Sequence, residues 1–190
     1  MAKKKISSWV WVIGIVVVIA LIFISYYNSF VSLNQKVENQ WAQVETQYQR
    51  RYDLIPNLVN SVKGFLTQEQ TLYDKIMDAR KSYSGAGSIE EKVAAANRLE
   101  GFLGRLLAII EDNPEIKSNE VVSNLMVQLE GTENRISVER KRYNDRVKEY
   151  NIAIKKFPGV IFARLFGFTE KTFFEATEGA ETAPTVELVE

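Results

Sequence analysis

Residues 37–65 read VENQWAQVETQYQRRYDLIPNLVNSVKGF, and their spacing decides the fold. Apolar side chains return every three or four residues and hold that phase as far as Tyr83. One register runs through Trp41, Tyr48, Ile55, Val62, Ile76 and Tyr83. The other runs through Val37, Val44, Leu58, Phe65, Leu72 and Ala79. A 3-4 repeat of this kind gathers both sets on one stripe, the buried face of a helix in a bundle or coiled coil. Arg51 and Glu69 are its polar interruptions. Pro56 deletes the hydrogen bond to Tyr52 and predicts a kink.

Working outward toward the C-terminus, Gly64 and a Thr67–Gln70 cap predict a break near Leu66. Ser84-Gly85-Ala86-Gly87 is a turn. Ser88 with Glu91 forms a capping box that opens a helix to residue 112, with Ile89, Val93, Ala96, Leu99, Leu103, Leu106 and Ile110 inward. Asn113-Pro114 stops it. The last long helix begins near Ser118 and turns Val122, Leu125, Leu129, Ile136, Tyr143, Tyr150 and Phe157 inward, until Pro158 ends it. A break near Leu66 makes stretches 28–66 and 118–156 equal in length, with two shorter helices, 68–83 and 88–112, running between them. The expected fold is therefore all-α: an up-and-down four-helix, coiled-coil-like bundle over residues 28–168. Without the break the first helix would be a rod that the shorter helices could not cover.

The flanks differ in character. The aromatic segment 158–168, PGVIFARLFGF, either caps the bundle or touches lipid. Residues 169–190 form an acidic tail, with five glutamates and no base from Glu175 onward, and are expected to be unstructured. At the other end no charge occurs between Ile6 and Gln35. Residues 9–27 would make a helix of about 28 Å, enough to cross a bilayer core, with Trp9 and Trp11 at one end and Tyr26 and Tyr27 at the other. The run ends in Ile-Ser-Tyr-Tyr, which argues for a retained anchor over a cleaved signal peptide. Lys3, Lys4 and Lys5 place the short N-terminus, residues 1–8, in the cytoplasm and the bundle outside it. The expectation is a single-pass protein of the inner cell membrane.

Composition narrows the chemistry. The chain has no histidine and no cysteine. Disulfides, thiolate chemistry and Ser-His-Asp arrangements are excluded, as are the histidine-dependent metal sites. Basic and acidic residues balance at 24 each, which argues against a nucleic-acid partner. No metal and no cofactor is expected, and no enzymatic activity.

Two polar stretches remain, one within 41–64 and one from Thr132 onward. The Tyr-Asn pairs at 143–144 and 150–151 lie seven residues apart, on one helical face. Arg51, Asp53, Asn57, Glu133, Asn134, Arg140, Asn144 and Asn151 form the candidate cluster. It either binds an anion or a partner peptide, or it fixes register between antiparallel helices as an ion-pair and amide network. Arg51 is expected to pair with Glu133.

In these residues the chain resembles the LemA family of bacterial membrane proteins. The resemblance runs from Tyr27 to Phe174 and rests on the RRYDLIPNLV run at 50–59, Thr132-Glu133-Asn134-Arg135-Ile136, Arg140, the later Tyr-Asn pairs, Phe157-Pro158 and Gly167-Phe168. It departs at Gln68-Glu69, where the family often has His-Glu, and at Asn113-Pro114, where it often has Tyr-Pro. The resemblance implies an N-terminal membrane helix and a four-helix bundle, with no established biochemical activity. It also implies association with envelope processes, some members being encoded beside membrane metalloproteases. The expected role is a non-enzymatic envelope scaffold or adaptor. Its partners would be the bilayer, through 9–27, and membrane or envelope proteins, a membrane metalloprotease or further copies of itself among them. The alternatives are a ligand-binding sensor using the polar cluster and an accessory subunit regulating a membrane protease.

Overall fold

A computed structural model describes residues 8–64 and 70–174. Those residues contain six helices and no strand: α1 (Ser8–Val62), α2 (Gln70–Gly85), α3 (Ile89–Asp112), α4 (Pro114–Lys117), α5 (Glu120–Lys155) and α6 (Gly159–Phe166). The chain divides into two compact units. Among the described residues, the first takes 8–42 together with Lys141–Phe173, and the second takes those of Gln43–Arg140 together with Phe174.

In the second unit four helices alternate in direction. Along α1, Tyr48 and Tyr52 meet Tyr83 near the end of α2, whereas Lys63 lies over Tyr73 near its start, so α1 and α2 run antiparallel. The turn at Ala86 and Gly87 reverses the chain into α3, whose first residues return toward α1 through the Lys92–Glu45 ion pair. Tyr48 meets Arg140 and Arg51 meets Glu133, so α5 is antiparallel to α1. The predicted stripe is the core. Val44, Tyr48, Ile55, Leu58, Val62, Leu72, Ile76, Ala79 and Tyr83 are all buried.

Local chemistry sets the boundaries. α1 continues through Pro56 and ends at Val62, four residues before Leu66. Phe65, Leu66, Thr67, Gln68 and Glu69 lie outside the described residues. Ser88 caps α3 by accepting from the Glu91 N–H at 3.1 Å, and the Glu91 carboxylate reaches the Gly87 N–H at 2.8 Å, one residue earlier than a capping box requires. Ala96, Leu99, Leu103, Leu106 and Ile110 face inward as expected, while Ile89 and Val93 are half-buried. Pro114 does more than stop α3: it opens the short helix α4, which buries Ile116. Asn119 then caps α5 by accepting from the N–H groups of Val121 and Val122.

The first unit combines residues 8–42 of α1, residues 141–155 of α5, and α6. Trp41 meets Tyr143 edge-on, whereas Phe30 lies against Gly159, so α1 and α5 are antiparallel here too. Val37, Val147, Tyr150 and Ile154 fill the interface. Phe157 departs from expectation and is 76% exposed. α5 ends at Lys155, so residue 157 no longer follows the helical phase, and Ile154 is the last buried position of the stripe. α1 is long and apolar enough to cross a membrane, and none of that apolar window is buried within the protein.

Candidate functional site

The eight candidate residues do not gather at one point. Arg51 is 8% exposed on α1 and forms the expected ion pair with Glu133 of α5. Thr132 beside it is buried and donates to the Leu129 carbonyl at 2.7 Å, so this turn of α5 satisfies its own hydroxyl. Asp53 is exposed and accepts from the Gln49 side-chain amide at 2.9 Å. Asn57 and Asn134 are exposed.

Arg140 forms a second hub, close enough to Glu133 to feel its charge. Its Nη2 and Nε donate to the Tyr48 hydroxyl at 2.6 and 3.0 Å, and Nη2 also reaches Glu100 at 3.3 Å and Asn97 at 3.5 Å. The guanidinium lies over the rings of Tyr48 and Phe174. Burial alone would favour the neutral form of Arg140. Tyr48, its hydrogen bond, Glu100 and Glu133 outweigh that and raise its pKa, so the arginine stays charged. For Tyr48, burial raises the pKa more than Arg140 lowers it, so the phenol stays neutral.

Around Tyr48 lies a feature that the seam positions hint at but do not reveal. The rings of Tyr48, Tyr52 and Tyr83 pack together, with centroids 6.2, 5.6 and 4.4 Å apart. Tyr48 has Arg140, whereas the hydroxyls of Tyr52 and Tyr83 are buried with no hydrogen-bond partner among the described residues. The same holds for Arg51 Nε and Gln47 Oε1. Burial pushes both tyrosines well above their ordinary pKa of 10.0, helped by the neighbouring phenols and, for Tyr83, by Glu45. Tyr52 falls outside the predicted stripe because it sits one residue beyond Arg51, at a position that packs only once α2 is in place.

Asn151 serves another purpose. Its amide donates to the Lys171 carbonyl at 2.8 Å and accepts from the Lys171 N–H at 3.0 Å. Tyr150 donates to the Thr169 carbonyl at 2.9 Å and Tyr143 to the Thr172 carbonyl at 3.5 Å. The repeated Tyr-Asn pairs thus line the part of α5 that holds residues 169–172, the first residues of the segment expected to be an unstructured tail. Asn144 is half-buried within the same repeat. Residues 175–190 lie outside the described ones.

An apolar, membrane-length helix joined to a helical bundle, with Arg51, Arg140 and Asn151 set in ion pairs and an amide clamp, defines a membrane-associated helical protein. The chain matches the LemA family over residues 40–188 and belongs to it. It is 28% identical to magnetosome protein MamQ of Magnetospirillum gryphiswaldense, over 82% of this chain and 67% of that protein. It is 26% identical to MamQ 1 and to MamQ 2 of Paramagnetospirillum magneticum, over 90% of this chain and 73% of each. The family match begins at Gln40, so residues 27–39 of the resemblance lie outside it.

Proposed function

We propose that the protein is a membrane-anchored, non-enzymatic scaffold or adaptor of the cell envelope. Residues 9–27 are its single pass through the inner membrane, the basic N-terminus is cytoplasmic and the bundle lies outside. One observation carries this reading: the charged and amide groups of the candidate cluster that are buried are engaged by the chain itself. Arg51 holds Glu133, Arg140 holds Tyr48 and Glu100, and Asn151 holds Lys171. Catalysis needs a base or nucleophile left poised toward a substrate, and these groups are spent on register and on clamping. Relatives named as magnetosome proteins support a role as a component of a cellular structure.

A surface for partners is available on α5. Val127, Gly131, Asn134 and Val138 are exposed and share one face of the helix, without a charge among them. A photo-crosslinking residue at 127 or 138 should capture a discrete protein in intact cells, whether an envelope protein, a membrane metalloprotease or another copy. The reading fails if both positions stay uncrosslinked while the purified chain turns over a substrate in hydrolase, transferase or peptidase screens. Protease added outside spheroplasts should digest the bundle; a protected bundle would reverse the orientation.

A second reading, the ligand-binding sensor, draws on the unpartnered hydroxyls of Tyr52 and Tyr83 beside Arg51. A small polar molecule that fills those valences would raise the melting temperature. A thermal-shift hit that disappears in Tyr52→Phe would favour the sensor over the scaffold.

A further inference from the structure

α6 is short and apolar, GVIFARLF, and it has two unlike faces. The inner one is packed: Phe162 and Ala163 are buried. Phe162 stacks on Tyr26 with centroids 4.5 Å apart and meets Phe23 edge-on at 5.0 Å. Phe166 meets Tyr27 at 5.2 Å and Phe23 at 6.1 Å. Gly159 is required at the start, because a Cβ there would collide with the Ala153 carbonyl oxygen. At the far end Gly167, with φ of 74°, turns the chain back so that Phe168 meets Tyr27 and Phe30. α6 therefore starts beside Phe30 and descends along α1 to the level of Phe23.

That level is the decisive observation. Phe23, Tyr26 and Tyr27 form the last turn of the 9–27 span, so α6 is held about one helical turn deep in the same layer. Its outer face carries Ile161 at 56% exposure and Leu165 at 63%, with Phe157 at 76% four residues before Ile161. Ile161 and Leu165, four residues apart within α6, lie on one stripe of it, and Phe157 is exposed just before the helix begins. Arg164 is exposed beside the stripe and brings positive charge to it, as in helices that lie in a lipid interface with basic side chains reaching the head groups.

We propose that α6 is a second membrane-binding element, lying in the outer head-group layer with Ile161 and Leu165 inserted into phospholipid. This rests on the reading of α1 as a membrane anchor. With α6 in lipid, the first unit is held to the bilayer by two elements, α1 and α6, where a lone helix would leave it free to turn.

The chain has no cysteine, so a single introduced one carries a nitroxide without competition. The full chain, in vesicles of phosphatidylethanolamine and phosphatidylglycerol, is labelled at Ile161→Cys, Leu165→Cys, Val17→Cys within the span, or Val138→Cys on α5. Collision with oxygen, which concentrates in lipid, is compared with collision with a water-soluble nickel chelate. Positions 161 and 165 should resemble 17, with oxygen access exceeding nickel access several-fold, and 138 should show the reverse. Nickel access at 161 and 165 equal to that at 138, with 17 still in lipid, overturns the proposal while leaving the anchor intact. Water access at 17 overturns the anchor and α6 together. Spin–spin broadening at 161 in protein-poor vesicles would mean that a second copy covers the stripe, and would also overturn it. Circular dichroism of each labelled chain matching that of the unlabelled one excludes misfolding as the cause.

Discussion

Two buried tyrosines, Tyr150 and Tyr52, end in opposite states. Tyr150 on α5 is buried and its hydroxyl has the Thr169 carbonyl. Tyr52 on α1 is buried as deeply, and its hydroxyl has no partner among the described residues. The difference lies in what each one faces. A helix consumes its own carbonyls, so a phenol buried among helices finds only side chains to bond. Residues 168–174 form no helix, and backbone carbonyls there accept from α5, as those of Thr169, Lys171 and Thr172 do. A buried phenol is thus satisfied by backbone where α5 holds residues 169–172, whereas among packed helices it needs a side-chain partner, which Tyr48 finds in Arg140 and Tyr52 lacks.

Breaking the best-satisfied group should cost most. Arg140→Ala removes the donors from the Tyr48 hydroxyl and frees Glu100, and hydrogen bonds to charged groups are worth about 1.5–3 kcal/mol each. A loss of about 3 kcal/mol in the full chain is expected by urea unfolding in micelles. A change within about 0.5 kcal/mol, the range of an ordinary surface substitution, would mean that the hub is ornamental.

Asn151→Ala sharpens the other side of the comparison. Two neutral bonds to Lys171 disappear, each worth about 1 kcal/mol. Amide exchange at residues 169–172 should accelerate at least tenfold while α2 and α3 keep their protection. Unchanged exchange there would show that the clamp does not depend on Asn151.

The smallest effect distinguishes the unsatisfied phenols. Tyr52→Phe or Tyr83→Phe removes a buried hydroxyl that makes no bond, so stability near neutral pH should change by less than about 1 kcal/mol and can rise. Tyr48→Phe, which strands Arg140, should cost more. Alkaline pH tests the same contrast. Both phenols have folded-state pKa values raised above the ordinary 10.0, so their share of stability is complete below about pH 10 and falls as pH rises beyond it. Tyr52→Phe should flatten that decline in melting temperature. An equally steep decline in the variant would place the titrating group elsewhere.

Much of this was legible in the sequence, and for a physical reason. Helical periodicity is a local signal, so the stripe from Val37 to Tyr83, the Ser88 cap and the turn before it could be read directly. Arg51 was legible as half of a pair because it interrupts an apolar stripe, where an unpaired charge is too costly to keep. The role of Asn151 was not legible, since its partner is the backbone of Lys171, and backbone carries no residue signature. Tyr52 was hidden because its burial depends on α2 closing over a flank of α1. Phe157 was misassigned because the seam was extended past the end of α5.

The account turns on whether buried polar residues of the bundle serve the fold, and the Arg51–Glu133 pair tests that directly. Arg51→Glu, Glu133→Arg and the double exchange are melted as full chains in micelles. Glu133 is partly solvated, so each single change should cost about 1–3 kcal/mol, between the values for exposed and buried pairs. The double exchange should recover most of that loss, because the pair is re-formed with its charges reversed. If the double variant were as unstable as the two single losses added together, the two residues would be acting independently and the register-fixing pair would be refuted.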